Sequence, residues 1–509
     1  MDVVSINLSL LDWLIIFCYI GLMIGIGLYI FKKVPGFDNF FSAGRAVTAP
    51  LLVATLVSTF YGLDTLFGTA EIGFMEGIVA LVAYSIPFYI MFGIMAFLAP
   101  KIRDRNPNAR TMIDILGDTY GKGTRLFSAV TSFFYSTNTM EMMGMGFVFS
   151  LILGIPFEWG VILGAAIALI YTALGGLLAD ILTDFVQFFL MVITLGIATL
   201  IAWNSVGGAS GVWSGLALFN RGDPSAYFHP LGGYLTLGLI IVYSITSLAA
   251  LADPAFFQRI FASASGKEIR KGFLIGIPLW LAYDICIVLM GMAAAASVGL
   301  GIIPEPHADQ SLLAVMGHFL PSGLIGLFIA GVMAASMSTA DSYFLVGGGN
   351  LVYDIYRPVF RPKIEEKKLT RYVKYGIIIS AAVSIGLVFV FGRIMGVWVF
   401  QATLLINSVL FPMYMALFYR GRKTKLAGLL STGFGLIATV VYYILISTLG
   451  YFSTEYGTYM LDLNLFGTPF TIWQEYAVFF IFPIGVILWF IGNWVSKEGR
   501  GVSKERRAK

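Results

Sequence analysis

The sequence contains little charge and almost no cysteine or histidine. Aspartate, glutamate, lysine and arginine make up 12% of the 509 residues, whereas hydrophobic residues make up 58%. An average soluble domain has roughly 45–50% apolar and about 25% charged residues, so an ordinary soluble enzyme is excluded. Cys18 and Cys286 stand alone in apolar runs and form no CxxC pair, which excludes a disulfide framework. The three histidines have no metal-ligand spacing, so a metalloenzyme is not expected.

Two signals that define other classes of protein are also missing. Residues 1–11 carry one acid, Asp2, and no basic residue, so we do not expect a cleaved signal peptide. No GxxxxGK[ST] phosphate loop occurs, which argues against a pump driven by nucleotide hydrolysis. The chain instead contains about 13 apolar runs, each long enough to cross a bilayer. We predict membrane spans at residues 10–31, 47–71, 77–99, 124–153, 156–178, 182–203, 232–254, 270–299, 322–350, 372–392, 396–419, 426–449 and 473–495.

Lysine and arginine are distributed unevenly among the segments that join these spans. If the N-terminus is outside, all but two of the 32 basic residues fall on the inner side, and the exceptions are Arg221 and Arg393. Cytoplasmic loops of membrane proteins carry this excess of positive charge. We therefore predict a multi-pass protein of the plasma membrane, with the N-terminus outside and the C-terminus in the cytoplasm.

Two predicted spans carry polar and helix-weakening residues at the depth of the bilayer centre. The span 47–71 contains Asp64 among several Ser, Thr and Gly residues, and the span 232–254 ends in Asp253 and Pro254. Irregular backbone at this depth is tolerated only where it is buried or lines a cavity. Each of these spans is the first of five consecutive spans. Because five is an odd number, the second group of five crosses the membrane in the opposite direction to the first. We expect an inverted repeat with a broken first helix in each half; the alternative is two structural kinks.

This reading divides the chain into four parts. Residues 1–46 form an extra N-terminal helix and a cytoplasmic loop, and residues 47–203 form the first repeat (spans 2–6). Residues 232–419 form the second, inverted repeat (spans 7–11). Residues 420–509 form two C-terminal helices and a basic cytoplasmic tail.

The predicted span 322–350 has a polar centre. Ser338, Asp341 and Ser342 share one helix face, with Thr339 beside them. A carboxylate inside a span is costly and usually marks an ion or substrate path. Hydroxyl and carboxylate oxygens are hard ligands that suit a small hard cation. Small residues also let helices pack closely, but Asp341 leads us to favour an ion site over a packing seam.

A second polar cluster lies within residues 171–189. The Gly-Gly pair at 175–176 predicts a short inner turn, after which Asp180 and Asp184 lie on one helix face. We interpret Asp180 as a helix cap and Asp184, one turn deeper, as the better candidate for a buried cation ligand. Arg259, where the second broken span meets the cytoplasm, is interpreted as an interfacial anchor.

Four segments, in this order, resemble the sodium:solute symporter family, whose members have the LeuT-type fold. They are FDNFFSAGR (37–45), YTALGG…TDFVQ (171–187), FFQRIFAS (256–263) and AASMSTADS (334–342). The resemblance covers about residues 10–450 and implies an all-α integral membrane protein. It also implies a first sodium ion, held by backbone carbonyls of Ser58, Tyr61 and Ala335 and by the hydroxyls of Ser338 and Thr339.

The resemblance further implies a possible second sodium site at Asp184, Asp341 and Ser342. Position 341 is often a serine in family members that have this site, and here it is an aspartate. The second site is therefore expected to bind a sodium ion, a proton or nothing, with sodium favoured. A first sodium at the broken helix would satisfy carbonyl groups that have lost their helical partners. Because such an ion would contact both repeats, it would favour one arrangement of the two repeats over the other.

In this fold the solute lies beside the two broken helices, which implies Phe60, Asp64, Thr65, Thr246 and Asp253 as candidate solute residues. The two acids favour a neutral polar or amine-bearing solute over a carboxylate alone. GTAEIG (68–73) with MSTADS resembles the choline-transporter branch, although the aromatic box for a quaternary ammonium is not evident. RNPNARTMID (105–114) and DPAFFQR (253–259) resemble the urea-transporter branch, so the two similarities indicate different solutes.

We therefore predict a sodium-coupled secondary active symporter, not an enzyme, that imports a small polar organic solute by alternating access. Sodium is the expected coupling ion, with no organic cofactor, no nucleic-acid partner and a monomer as the functional unit. One alternative is a proton-coupled or uncoupled carrier on the same fold, which the intramembrane acids Glu141 and Asp341 favour. The other alternative is a transporter-like sensor or channel.

Overall fold

The computed structural model describes residues 8–31, 36–219, 223–231, 237–391, 393–453, 458–465 and 467–496. Several residues of the charge prediction lie outside this described part of the chain, namely Lys32, Lys33, Arg221 and the basic tail 497–509. All the helices and strands of the fold named here belong to those ranges.

The first half of the chain forms ten helices. They are α1 (Leu10–Phe31), α2 (Gly36–Ser42), α3 (Ala49–Phe60), α4 (Leu63–Glu76), α5 (Ile86–Arg105), α6 (Met112–Tyr120), α7 (Lys122–Tyr135), α8 (Thr139–Leu153), α9 (Phe157–Ser205) and α10 (Gly208–Phe219). Helix α9 is two helices joined at Gly176, whose φ of 60° is in the left-handed region that favours glycine. A side chain there would meet the carbonyl oxygen of Phe40 at 2.3 Å. The turn expected at the Gly-Gly pair is therefore present.

The second half adds eleven helices and three strands. The helices are α11 (Leu237–Thr246), α12 (Pro254–Ala262), α13 (Gly266–Gly299), α14 (Ser311–Phe319), α15 (Leu324–Gly349), α16 (Arg357–Phe360), α17 (Glu366–Val388), α18 (Ile394–Leu405), α19 (Phe411–Phe418), α20 (Lys425–Leu449) and α21 (Ala477–Val495). The strands are β1 (Tyr451–Ser453), β2 (Thr458–Leu465) and β3 (Thr468–Trp473).

The strands form an antiparallel sheet in the order β1-β2-β3, in which Met460 pairs with both Tyr451 and Trp473. No strand was predicted for this segment, which lies between the last two predicted spans. The eight residues of β2 are too few to cross a membrane as a helix, and the sheet instead contacts α20, the helix that it follows in the chain. The fold is thus helical apart from this small sheet.

The described chain has 10 helices long and apolar enough to cross a membrane, or up to 12 when two bent helix pairs count as one span each. The predicted number of about 13 treats one of these pairs, 122–153 with 157–170, as two spans. The bend within that pair is 113°, so the second helix runs partly back against the direction of the first. The chain therefore has many helices of membrane-spanning length, but the predicted number of 13 spans is not confirmed.

Both predicted helix breaks are present. Helices α3 and α4 meet at Tyr61 and Gly62 with a bend of 57°. Helix α11 passes into a 3₁₀ turn at Ser247–Leu251, and α12 begins after Asp253, whose side chain accepts a hydrogen bond from the Phe256 N–H. Pro254 at the first position of α12 removes one N–H that the helix could not satisfy. The inverted-repeat symmetry of residues 47–203 and 232–419 stays a prediction.

Ion pairs join segments that are far apart in the chain. Arg110 pairs with Asp38 at 2.6 Å, and Arg125 pairs with Asp114 at 2.6 Å and with Asp354 at 3.1 Å. All five residues belong to segments predicted to be cytoplasmic, so the structure brings these segments together. The orientation of these segments in a membrane stays a prediction.

Candidate functional site

The broken end of α3 contacts the middle of α15. The hydroxyl of Thr339 donates to the backbone carbonyls of Thr59, at 3.1 Å, and of Ser58, at 3.4 Å. The Ser58 hydroxyl donates to the carbonyls of Ala54 and Asp184. Carbonyls at a helix C-terminus have no intrahelical donor and are therefore available as ligands. The structure thus brings together the Ser58 carbonyl and Thr339, two groups predicted for the first sodium site.

The other residues predicted for this site are buried in the same region. Ser58, Tyr61, Ala335 and Ser338 are fully buried, and the Tyr61 hydroxyl donates to the Trp280 carbonyl. The Ser338 hydroxyl, however, donates to Oδ1 of Asp184 at 2.5 Å. Ser338 therefore connects the first predicted site to Asp184.

Arg259 is at the centre of a buried ionic network. Its exposed fraction is 0%, and its guanidinium Nη2 lies 2.9 Å from Oδ2 of Asp180 and 3.3 Å from Oδ2 of Asp184. The same nitrogen donates to the Ser342 hydroxyl at 2.5 Å, and Nε donates to the Thr55 hydroxyl at 2.8 Å. Buried charges are usually paired and hydrogen-bonded in this way because an isolated buried ion is costly. The interpretation of Arg259 as an interfacial anchor is wrong.

The network connects four elements of the bundle. Thr55 is on α3, Asp180 and Asp184 follow the Gly176 turn of α9, Arg259 is on α12, and Ser342 is on α15. Asp184 also accepts a hydrogen bond from Thr55 at 2.5 Å. Asp180 lies four residues into the helix and makes an ion pair, so it does not cap that helix. Sequence reasoning missed Arg259 as a functional candidate, although a basic residue next to a broken span was the available signal.

Asp341 has a different partner. Its Oδ1 accepts a hydrogen bond at 2.6 Å from Thr172, which precedes the turn in α9. The residues predicted for the second sodium site are therefore divided: Asp184 and Ser342 both contact Arg259, whereas Asp341 contacts Thr172. In this structure the guanidinium supplies the positive charge beside Asp184.

A small closed cavity lies beside the two broken helices. Its volume is about 20 Å³, which is room for about one water molecule, so a solute site here is closed in this structure. The cavity wall includes Thr339, which also reaches the broken end of α3. The lining residues are Asp64, Tyr135, Thr137, Asn138, Met140, Glu141, Thr339, Tyr343, Trp398 and Gln401.

Of the five predicted solute residues, Asp64 lines this cavity and Asp253 stands behind it. Asp253 Oδ2 accepts hydrogen bonds from the hydroxyls of Tyr135, at 2.9 Å, and Tyr343, at 2.7 Å. Its Oδ1 accepts the Phe256 N–H at 2.9 Å and so caps α12. Asp253 therefore holds two cavity-lining tyrosines in place and stabilises the second helix break.

The other three predicted solute residues contact the backbone or other rings. The Thr65 hydroxyl donates to the carbonyl of Phe60 at 3.1 Å, and the Thr246 hydroxyl donates to that of Tyr243 at 2.6 Å. Phe60 packs against the ring of Phe92, with centroids 5.0 Å apart. None of the three is part of the described cavity wall.

Glu141 is a cap for the second half of the broken helix. Both of its carboxylate oxygens accept the Leu63 N–H, at 2.9 and 3.0 Å. A carboxylate at a helix N-terminus also interacts favourably with the helix dipole. A side chain at Gly62 would meet Oε1 of Glu141 at 2.0 Å, so this approach requires glycine.

Three aromatic rings line the closed cavity. The Trp398 and Tyr135 centroids are 6.3 Å apart, and the Tyr135 and Tyr343 centroids are 6.1 Å apart. Together with the Asp64 carboxylate these rings form surroundings that suit an ammonium group. The proximity of these rings was not evident in the sequence because they come from three helices, α7, α15 and α18.

Two broken helices, buried carboxylates and a small cavity lie close together in this fold. The fold agrees with the solved structure of a Na⁺-coupled sialic acid symporter in a substrate-bound, outward-open state. The TM-score is 0.72 at 16% identity, and the match covers 96% of this chain and 97% of the other. This likeness shows the LeuT-type fold.

A family model described as "Sodium:solute symporter family" matches residues 40–435. The chain belongs to the sodium:solute symporter family.

Curated relatives include transporters of different solutes. The high-affinity proline transporter PutP of Bacillus subtilis is 28% identical, over 54% of this chain and 58% of the relative. The high-affinity choline transporter 1 of Drosophila melanogaster is 25% identical, over 76% of this chain and 63% of the relative. A sodium/proline symporter of Staphylococcus aureus is 23% identical, over 88% of each chain. The matches thus span less than two thirds of the first two relatives.

Proposed function

We propose that the protein is a sodium-coupled symporter that imports a small amine-bearing organic solute across the plasma membrane by alternating access. The observation that carries the proposal is the closed cavity in which the Asp64 carboxylate lies among the rings of Tyr135, Tyr343 and Trp398. A carboxylate next to aromatic faces attracts an ammonium group by charge and by cation–π interaction. The single chain is taken as the transporting unit.

Thr339 supports the coupling of solute to sodium. Its side chain lines the solute cavity, and its hydroxyl reaches the carbonyls at the broken end of α3. A sodium ion held by carbonyls of Ser58, Tyr61 and Ala335 and by hydroxyls of Ser338 and Thr339 would therefore share one residue with the solute. Each ligand would then favour the arrangement of helices that the other requires, which is reciprocal coupling.

The second sodium ion remains a prediction. A sodium ion at Asp184 and Ser342 would share these groups with the guanidinium of Arg259. With both carboxylates ionised, the cluster of Asp180, Asp184 and Arg259 carries one net negative charge. This charge supports a cation near the cluster, without assigning Asp341 to it.

A competition experiment tests the solute class. The purified protein is reconstituted into proteoliposomes with a sodium gradient, and proline, choline, urea and glucose are compared as substrates and competitors. We expect transport of an amine-bearing solute and its loss in Asp64→Asn, because the variant removes the counter-charge. Asp104→Asn, a change at a surface carboxylate, is the matched control. Transport confined to urea or glucose would contradict the proposed solute class.

A further inference from the structure

A second, larger cavity lies at the end of the bundle opposite the basic loops. Its volume is about 480 Å³, within the usual range for small-molecule sites. It shares no lining residue with the closed cavity described above. Its wall combines the outer ends of α4 and α11, the loops before α14 and α18, and the sheet. The polar and aromatic residues that matter here are Glu76, Tyr243, Glu305, Arg393, Trp473 and Glu475.

Glu475 is the most unusual group in this wall. Its exposed fraction is 8%, and its Oε1 accepts a hydrogen bond from the Thr458 hydroxyl at 2.6 Å. Its Oε2 is buried and has no hydrogen-bond partner among the described residues. A buried carboxylate oxygen without a donor loses solvation that nothing in the protein replaces. A ligand with a donor or a positive charge would supply the missing partner.

The basic groups of the cavity are already engaged by other acids. Arg393 makes an ion pair with Glu71, a buried residue of α4. His307 Nδ1 lies 2.7 Å from Oδ1 of Asp309. Arg393 also attracts Glu475, but the described wall has three carboxylates, Glu76, Glu305 and Glu475, against Arg393 and His307, so its net charge is negative. This negative charge excludes an anion as the preferred ligand.

The aromatic rings of Tyr243 and Trp473 also line this cavity. Aromatic faces attract organic cations, and tryptophan does so most strongly. Trp473 is the last residue of β3, and Glu475 follows it by two residues, so the sheet sets the position of both. We propose that this outer cavity is a binding site for a small organic cation, with Glu475 as its counter-ion. The site is separate from the solute cavity, and the proposal does not depend on what that cavity transports.

Binding of tetramethylammonium to the purified full chain in lipid nanodiscs tests the proposal. The titration is made by calorimetry in the Asp64→Asn background, so that the solute cavity does not contribute. We expect saturable binding, which weakens about tenfold or more in Asp64→Asn/Glu475→Gln because a charge-assisted contact is lost. Asp462→Asn, at an exposed carboxylate of the same sheet outside the cavity wall, is the control and should change affinity by less than about twofold.

Two further measurements keep the test decisive. Trp473→Leu leaves every charge in place and should weaken binding several-fold, even if the Glu475 variant does not fold. Neopentyl alcohol, a neutral molecule of similar shape, should not compete. Unchanged affinity in both the Glu475 and the Trp473 variants overturns the proposal. Equal binding of the alcohol, or binding of acetate in place of the cation, also overturns it.

Discussion

Replacing Arg259, the one basic residue of the described network, with glutamine should strongly destabilise the protein. The variant leaves Asp180 and Asp184 buried without the guanidinium that lies 2.9 and 3.3 Å from them. At an effective dielectric constant of about 20, those distances correspond to gross attractions of about 6 and about 5 kcal/mol. Desolvation offsets much of this attraction. Breaking a buried pair from one side typically costs about 3–5 kcal/mol.

The assay is reversible unfolding of the purified protein in mixed micelles, without sodium. We expect Arg259→Gln to lower the free energy of unfolding by about 3–5 kcal/mol. The double variant Arg259→Gln/Asp180→Asn restores the net charge of the cluster and should recover a large part of the loss, because the two sites are coupled. Arg103→Gln is the control. Arg103 donates to the backbone carbonyls of Ser263 and Ala264, both at 3.0 Å, and its loss should cost about 1 kcal/mol.

Sodium adds a second readout to the same variant. If the two carboxylates require a cation, sodium should restore part of the stability of Arg259→Gln, and potassium should restore less. A loss below about 1 kcal/mol in Arg259→Gln, as for an exposed ion pair, would refute the energetic argument. Strictly additive effects of Arg259→Gln and Asp180→Asn would refute it as well.

Four further changes have definite expected outcomes. The double variant Ser338→Ala/Thr339→Ala should raise the sodium concentration for half-maximal uptake with little change in membrane abundance, and an unaltered sodium dependence would remove the first site. Asp64→Asn should weaken solute binding directly. Asp253→Asn should instead lower the unfolding temperature both with and without solute. If Asp64→Asn and Asp253→Asn weakened solute binding equally, these two roles would be contradicted. A hydrogen bond to the neighbouring aspartate raises the pKa of His307 from its ordinary value of 6.5. Its stabilisation is therefore present below pH 6.5 and lost as pH rises through the folded pKa, so His307→Gln should lower the unfolding temperature at pH 6 but not at pH 9.

The helix breaks could be predicted because their causes are local. Gly62 permits the close approach of a cap, and the pair Asp253-Pro254 both caps α12 and prevents continuation of the helix before it. The contact of Thr339 with α3 also follows a sequence signal, since hydroxyl residues are unusual at the centre of a span. These features depend on residue type at one position more than on distant contacts.

The features that sequence reasoning missed depend on contacts between distant segments. Arg259 precedes a basic run, so it looked like part of a cytoplasmic boundary, and its burial follows from Asp180, which is 79 residues earlier. Trp398 and Tyr135 become neighbours only when α7 and α18 pack together. The sheet has short strands between two apolar helices, and no strand was predicted for this segment.

Sodium-driven accumulation is the measurement that tests the central claim most directly. Proteoliposomes that contain the protein are loaded with potassium, and uptake of the amine-bearing solute found in the competition experiment is followed after dilution into sodium or into potassium. The account predicts accumulation above the external concentration only with an inward sodium gradient, and loss of that accumulation when an ionophore removes the gradient. Accumulation that follows a proton gradient and ignores sodium would contradict the account.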